Sequence, residues 1–278
     1  MRNSITFFGI FGLVFTSVSC VSYDEDVSLS ASQASAFQQF KAHVIPKLKR
    51  DFEKEDLYLL QFLRAKKFDV DEAERFILRE SKWRTEQGFD GIHNEDWSDM
   101  ECCYPVFLEG VDREGKPLLI FDIGEWDIRA AVVAGKADRM AKWMSKNYDL
   151  ARMRTRELGK EGKNVTRFSL IYDMKGFSAT SISAASLPFY ATAATALDQH
   201  FPNMFDKLFQ LNSPPIFETV VQVMRPLMSY GTQSKSMEIG GRSGHPKLGS
   251  GSTPHKSPSD TVATKRTSII KNYFTYLV

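Results

Sequence analysis

The chain is poor in cysteine and nearly neutral, and each shortage removes a class of protein. Three cysteines occur in 278 residues, Cys20 in an apolar leader and Cys102 beside Cys103, and adjacent cysteines cannot staple distant parts of a fold. No disulfide framework is expected. The five histidines (His43, His93, His200, His245 and His255) fall in no HExxH and no paired Cys/His spacing, so no metal site is expected. A formal charge of +2 is too small for a dedicated nucleic-acid binder, although the local run Arg64, Lys66 and Lys67 suits anionic headgroups.

Catalytic signatures are missing as well. There is no nucleophile elbow, P-loop or dinucleotide fingerprint, and the glycine-rich stretch 240–251 lacks the spacing of either phosphate cradle. Asp122, Asp127 and Asp173 carry no pairing signal, and a carboxylate that ends a strand, as Asp173 does, is commonly a turn-former. The chain is not expected to be an enzyme.

Long apolar runs are also scarce, and the first twenty residues hold the main one. Arg2 precedes an uncharged stretch from Ser4 to Cys20, with the small residues Ser17, Val18 and Ser19 at cleavage spacing. Residues 1–22 therefore read as a signal peptide. The stretch is short of the roughly 20 apolar residues that a spanning helix needs, and an N-terminal anchor is the other reading. A signal peptide points to the secretory pathway or the outside of the cell, where the sequon Asn164, Val165, Thr166 would be usable.

What is present is an ordinary globular composition, 42% hydrophobic and 25% charged, enough for one large domain and a small helical one. Phe37, Phe40 and Val44 recur at helical spacing before Pro46, and Leu59, Phe62 and Leu63 mark a second helix. Asp69 with Glu72 caps a third helix that Gly88 ends. Phe107–Glu109 and Pro117–Ile123 read as paired strands, and Lys136–Glu157 as a long amphipathic helix. Phe168–Tyr172 is five residues without polar alternation apart from Ser169, the pattern of a parallel strand covered on both faces. A small-residue helix follows over Ser181–His200, with Pro188 as a candidate kink, then a strand at Lys207–Asn212. An apolar helix over Ile216–Ser229 and a weak strand at Lys235–Ile239 complete the run. Helices followed by alternating strand and helix give an α/β fold: an N-terminal all-helical lobe, then a mostly parallel sheet flanked by helices. Residues 242–278 shift to Gly, Ser, Pro, His and Lys and read as a low-complexity, disordered tail, ending in an apolar cluster around Ile269, Ile270, Tyr273, Phe274 and Leu277.

Several stretches together carry a resemblance: Phe62 to Asp69 (FLRAKKFD), Trp83-Arg84, Ile171 to Gly176 (IYDMKG), His200-Phe201-Pro202 and Leu211 to Phe217 (LNSPPIF). In order and spacing they resemble the CRAL-TRIO lipid-transfer family over about residues 36–240. The resemblance implies a helical lobe at 36–95, a lipid-binding lobe at 96–241, and a movable gate in the apolar helix. It implies a cavity and gate lined by Phe168, Leu170, Tyr172, Phe189, Phe217, Val220, Val221, Met224, Leu227 and Met228. It also implies that Thr232 and Lys235 hold a phosphoinositol headgroup, and the basic run adds Arg64 and Lys67 as expected headgroup contacts on charge alone.

Asn203, where the phosphatidylinositol-transfer members have a glutamate, departs from the family pattern, as do Phe168 and Leu170, where the phosphatidylcholine site has hydroxyl residues. Ser236 replaces an aliphatic residue in the last strand, and the Gly/Ser/Pro tail replaces the family's C-terminal helix. The expected partners are a phospholipid or isoprenoid lipid and, transiently, a membrane surface, with no nucleic acid and no cofactor beyond the bound lipid. The family's usual place is the cytoplasm with peripheral membrane contact, which conflicts with the leader. A lipid-regulated protein-interaction module without bulk transfer is the alternative function.

Overall fold

The computed structural model describes residues 21–239. Residues 1–20 of the expected leader, His245, His255 and the 242–278 tail with its apolar cluster lie outside the described residues. Five helices precede the sheet: α1 (Tyr23–Val27), α2 (Ala31–Val44), α3 (Asp56–Ala65), α4 (Val70–Glu86) and α5 (Ser98–Glu101). α2 begins well ahead of Phe37, because Ser30 and Gln33 form a capping box that satisfies the first free N–H groups. Asp69 caps α4 by accepting from Glu72 N at 2.9 Å, and Gly88 leaves that helix in the left-handed region at φ 63°. Cys102 and Cys103, at the end of α5, are paired as a disulfide that closes only a local ring.

The sheet is five-stranded, in the order β1 (Val106–Val111), β2 (Pro117–Phe121), β3 (Phe168–Asp173), β4 (Phe205–Leu211), β5 (Ser236–Ile239). β1 runs antiparallel to β2, and the other pairs are parallel. The connections are helical: α6 (Ile128–Val133) and α7 (Ala137–Lys160) after β2, α8 (Leu187–His200) after β3, and α9 (Phe217–Met224) with α10 (Tyr230–Ser234) after β4. All six residues of β3 are buried, which is why the strand shows almost no alternation. Its Phe168, Leu170 and Tyr172 join the main core with Leu119, Phe121 and Leu208, while Ile171 belongs to a second cluster with Leu118, Ile120, Phe209 and Leu211 on the other face.

Among the helix boundaries that differ from the sequence reading, α7 runs on to Lys160, and proline explains the two largest differences. α8 starts at Leu187 and not Ser181, so Pro188 stands in the first turn, where its missing N–H is free of cost, and it does not kink the helix. α9 has eight residues and stops at Met224, since Pro226 cannot continue the ladder and Arg225–Leu227 tightens into a 3-10 turn.

The helical part and the sheet share one core, in which Phe62 and Phe76 belong with Tyr148, Phe168 and Leu208. Polar ties cross the same boundary. Gln61 Nε2 donates to Thr166 O at 3.2 Å, Arg84 Nη2 to Asp149 at 2.5 Å, and His200 Nδ1 meets Glu80 at 2.6 Å with its ring stacked on Trp83. Beyond the C-terminal ends of β2 and β3 the chain packs backbone on backbone, and a Cβ on Gly124 would stand 1.9 Å from Lys175 O.

Candidate functional site

α9 lies over α8 and the C-terminal half of β4. Between them is a small cavity of 40 Å³, with Tyr172, Leu208 and Gln210 of the sheet on one side, Ala193, Ala194 and Leu197 of α8 on another, and Phe217, Val221, Met224 and Met228 above. The small residues of α8 are what let it approach the sheet. A second void of 290 Å³ opens on the far flank of α9, shares Gln210, Phe217, Val221 and Met228, and is bordered by Pro214, Pro215 and Ser236. α9 thus has empty space on both flanks, and only Phe217 and Val220 among its residues are fully buried.

Of the residues expected in the cavity, Tyr172, Phe217, Val221, Met224 and Met228 meet there. Leu170, Phe189 and Val220 are buried in the surrounding core. Phe168 faces a different cavity beside α3, and Leu227 is 44% exposed on the 3-10 turn after α9. The cavity wall holds one deep polar feature that sequence reading missed: the hydroxyls of Tyr148 and Tyr172 meet at 2.6 Å, and burial pushes the Tyr172 phenol up to about 12. Tyr148 carries no signal beyond its place on the apolar stripe of α7.

Of the expected headgroup residues, Thr232, Lys235 and Arg64 are each engaged in contacts of their own, and Lys67 stands apart. Thr232 is buried and donates to Asp198 Oδ1 at 2.5 Å, so its hydroxyl proton is taken. Lys235 is half-buried; its Nζ donates to Phe205 O at 3.2 Å and sits over the Phe205 ring, and burial, reinforced by Arg167, drops its pKa to about 8. Arg64 Nη2 donates to the carbonyls of Glu25, Asp26 and Ser28 at 2.9–3.1 Å. Lys67 is exposed at a left-handed turn, φ 52°, and makes no side-chain contact to the others. Asn203 donates to Gln61 O, away from Lys235.

The link between Arg64 and Lys235 is an ion pair that sequence reasoning did not find. Asp26 of α1 accepts from Arg167 Nε at 2.7 Å, Arg167 Nη2 at 2.5 Å and Thr166 Oγ1 at 2.6 Å, and Arg167 Nη1 reaches the same Phe205 carbonyl that Lys235 holds. Burial raises the Asp26 pKa, but Arg167 outweighs it, and the carboxylate titrates below its ordinary value. Asp173, by contrast, is a turn-former, accepting from Lys175 N and Asn212 Nδ2.

Comparison with known proteins agrees with this geometry. The CRAL/TRIO domain matches residues 102–242, just over half of the chain. SEC14 cytosolic factor of Eremothecium gossypii is 28% identical over 67% of this chain and 62% of its own length. SEC14 cytosolic factor of Kluyveromyces lactis is also 28% identical, over 77% of this chain and 72% of that protein, and a CRAL-TRIO domain-containing protein of Saccharomyces cerevisiae is 25% identical with the same coverage. The chain therefore spans about two thirds of the length of these relatives. Among solved structures, Sfh5 superposes with a TM-score of 0.62 at 12% identity, covering 75% of this chain and 80% of that one, a likeness of fold. With the family match over the sheet and α9, the chain belongs to the CRAL/TRIO domain family, whose members bind and transfer lipids.

Proposed function

We propose that the protein binds one lipid with its apolar part between α8, the sheet and α9, and exchanges it with a membrane by outward movement of α9. The observation that carries this reading is α9 itself. Its inner residues Phe217 and Val220 are buried, voids flank it, and the apolar residues Ile216, Leu227 and Tyr230 around its ends are 39%, 44% and 85% exposed. Such a cluster has a bilayer as its natural partner. A cavity of 40 Å³ is too small to enclose a lipid, so the chains enter only when α9 lifts. Passage of a two-chain lipid through water would expose roughly thirty methylenes at about 0.8 kcal/mol each, more than 20 kcal/mol, which direct exchange at the membrane avoids. Two hinges suit that motion: Asn212 in the left-handed region at φ 53° before Pro214 and Pro215, and the 3-10 turn around Pro226. Arg64 and Lys235, the cations on either side of the Asp26–Arg167 pair, favour a phosphoinositide-class headgroup over an isoprenoid.

Lipid extracted from the purified protein and identified by mass spectrometry tests the reading, together with transfer between vesicles. A phospholipid at one per chain and measurable transfer are expected, both abolished in Met224→Asp, whose charge would lie against the cavity. Protein that carries no lipid and moves none between vesicles would overturn it.

A further inference from the structure

A separate cavity, of 280 Å³, opens between α3 and the C-terminal half of α7 beside Phe168, which does not line the small cavity under α9. Its floor is buried and apolar, formed by Tyr58, Val165, Phe168 and Met204. Its rim is exposed at Gly159 and Lys160. Three cations line it, Arg152, Arg156 and Lys160, against the single carboxylate of Glu55. Arg152 is paired with Asp149 and Arg156 with Glu55, while Lys160 makes no ion pair among the described residues. The rim therefore keeps a positive charge beside an apolar floor.

One further feature distinguishes this cavity from a packing fault. Gly159 stands in the last turn of α7, where glycine is a poor choice for a helix, yet nothing in the backbone asks for it. It is Gly162, at φ 81°, that takes the left-handed position after the helix. A Cβ at Gly159 would meet only Val165 O at 3.8 Å. What the missing side chain does leave is an open rim.

We infer that this cavity binds a single-chain amphiphile with a carboxylate head, a medium-chain fatty acid, with the chain on the floor and the carboxylate at Lys160 and Arg156. At about 30 Å³ per water-sized group the cavity takes roughly nine such groups, which fits the eight carbons of octanoate with its carboxylate oxygens at the open rim and excludes a two-chain lipid. The site is separate from the α9 cavity and does not depend on the lipid reading.

Octanoate titrated into the full chain by calorimetry tests the inference, with octanol as the neutral control. Saturable binding at one per chain is expected, with octanol at least about tenfold weaker. Gly159→Leu fills the rim without removing a backbone requirement. It should leave melting temperature and vesicle transfer unchanged or higher while cutting octanoate affinity by at least about tenfold. The surface change Lys160→Ala, which threatens no fold, should weaken octanoate by about fivefold and leave octanol unaffected. No octanoate binding, equal binding of octanol, or wild-type affinity in both variants would overturn the assignment.

Discussion

Replacing Lys235 with methionine should make the protein more stable and, at the same time, less able to hold an anionic lipid. The amine is desolvated near Arg167, with Asp26, Asp198 and Asp206 supplying partial compensation, and its pKa falls from the ordinary 10.5 to about 8. At about 1.4 kcal/mol for each tenfold change in proton affinity, the charged amine costs the fold at most about 3 kcal/mol at neutral pH; the half-exposed stem makes this an upper figure. The sign follows from proton counting. Between about pH 8 and 10.5 the unfolded chain holds the proton and the folded one does not, so wild-type stability should rise with pH across that window and be flat below it. Methionine keeps the apolar stem over the Phe205 ring and removes the charge. Urea unfolding at pH 7, 9 and 10.5 provides the measurement. Lys235→Met should gain about 2–3 kcal/mol at pH 7, lose the rise above pH 8, and transfer phosphatidylinositol poorly. If it is no more stable than wild type at pH 7 and its stability still climbs between pH 8 and 10.5, the assignment of the cost to Lys235 fails.

Asp26→Asn should cost about 3–5 kcal/mol, because it leaves Arg167 buried without a counter-charge, and Asp26→Asn with Arg167→Met should recover much of that in chemical denaturation. Since the Asp26 pKa is depressed, the stability that this pair supplies should be present above the ordinary value of 3.8 and be lost as pH falls below it, seen as a steeper acid transition in wild type than in the double variant. Gly124→Ala should destabilise by about 1–3 kcal/mol in thermal melts, through the clash of its Cβ with the Lys175 carbonyl, whereas Gly91→Ala, whose Cβ meets nothing within 4 Å, should be nearly silent.

The α/β core was legible because burial on both faces leaves unbroken apolar runs, as in β3, and because helix caps such as Asp69 are local. The apolar helix α9 was legible in composition and misjudged in length: hydrophobicity continues from Ile216 to Met228, but the backbone cannot pass Pro226 as an α-helix. The basic cluster was the least legible part. Asp26 and Arg167 are 141 residues apart in sequence and neither sits in a motif, so only the fold brings them together. The fatty-acid cavity beside α3 left one trace in sequence, a glycine in the last turn of a long amphipathic helix, and that trace has meaning only once Gly162 is seen to supply the helix end.

The contacts also decide which of the four expected headgroup residues can still receive a phosphate. Thr232 has committed its hydroxyl proton to Asp198 and can only accept, so it cannot donate to an anion unless that bond breaks. Lys67 is exposed and separate from the others. Lys235 uses one donor of its three on the Phe205 carbonyl, and Arg64 binds three carbonyls through Nη2 while its buried Nε has no partner. Spare donors therefore remain on Lys235 and Arg64, with Arg167 between them already neutralised by Asp26. An anionic headgroup that reaches this cluster should be held by Lys235 and Arg64, and its phosphate would offset the burial and the nearby Arg167 charge that together lower the pKa of that amine.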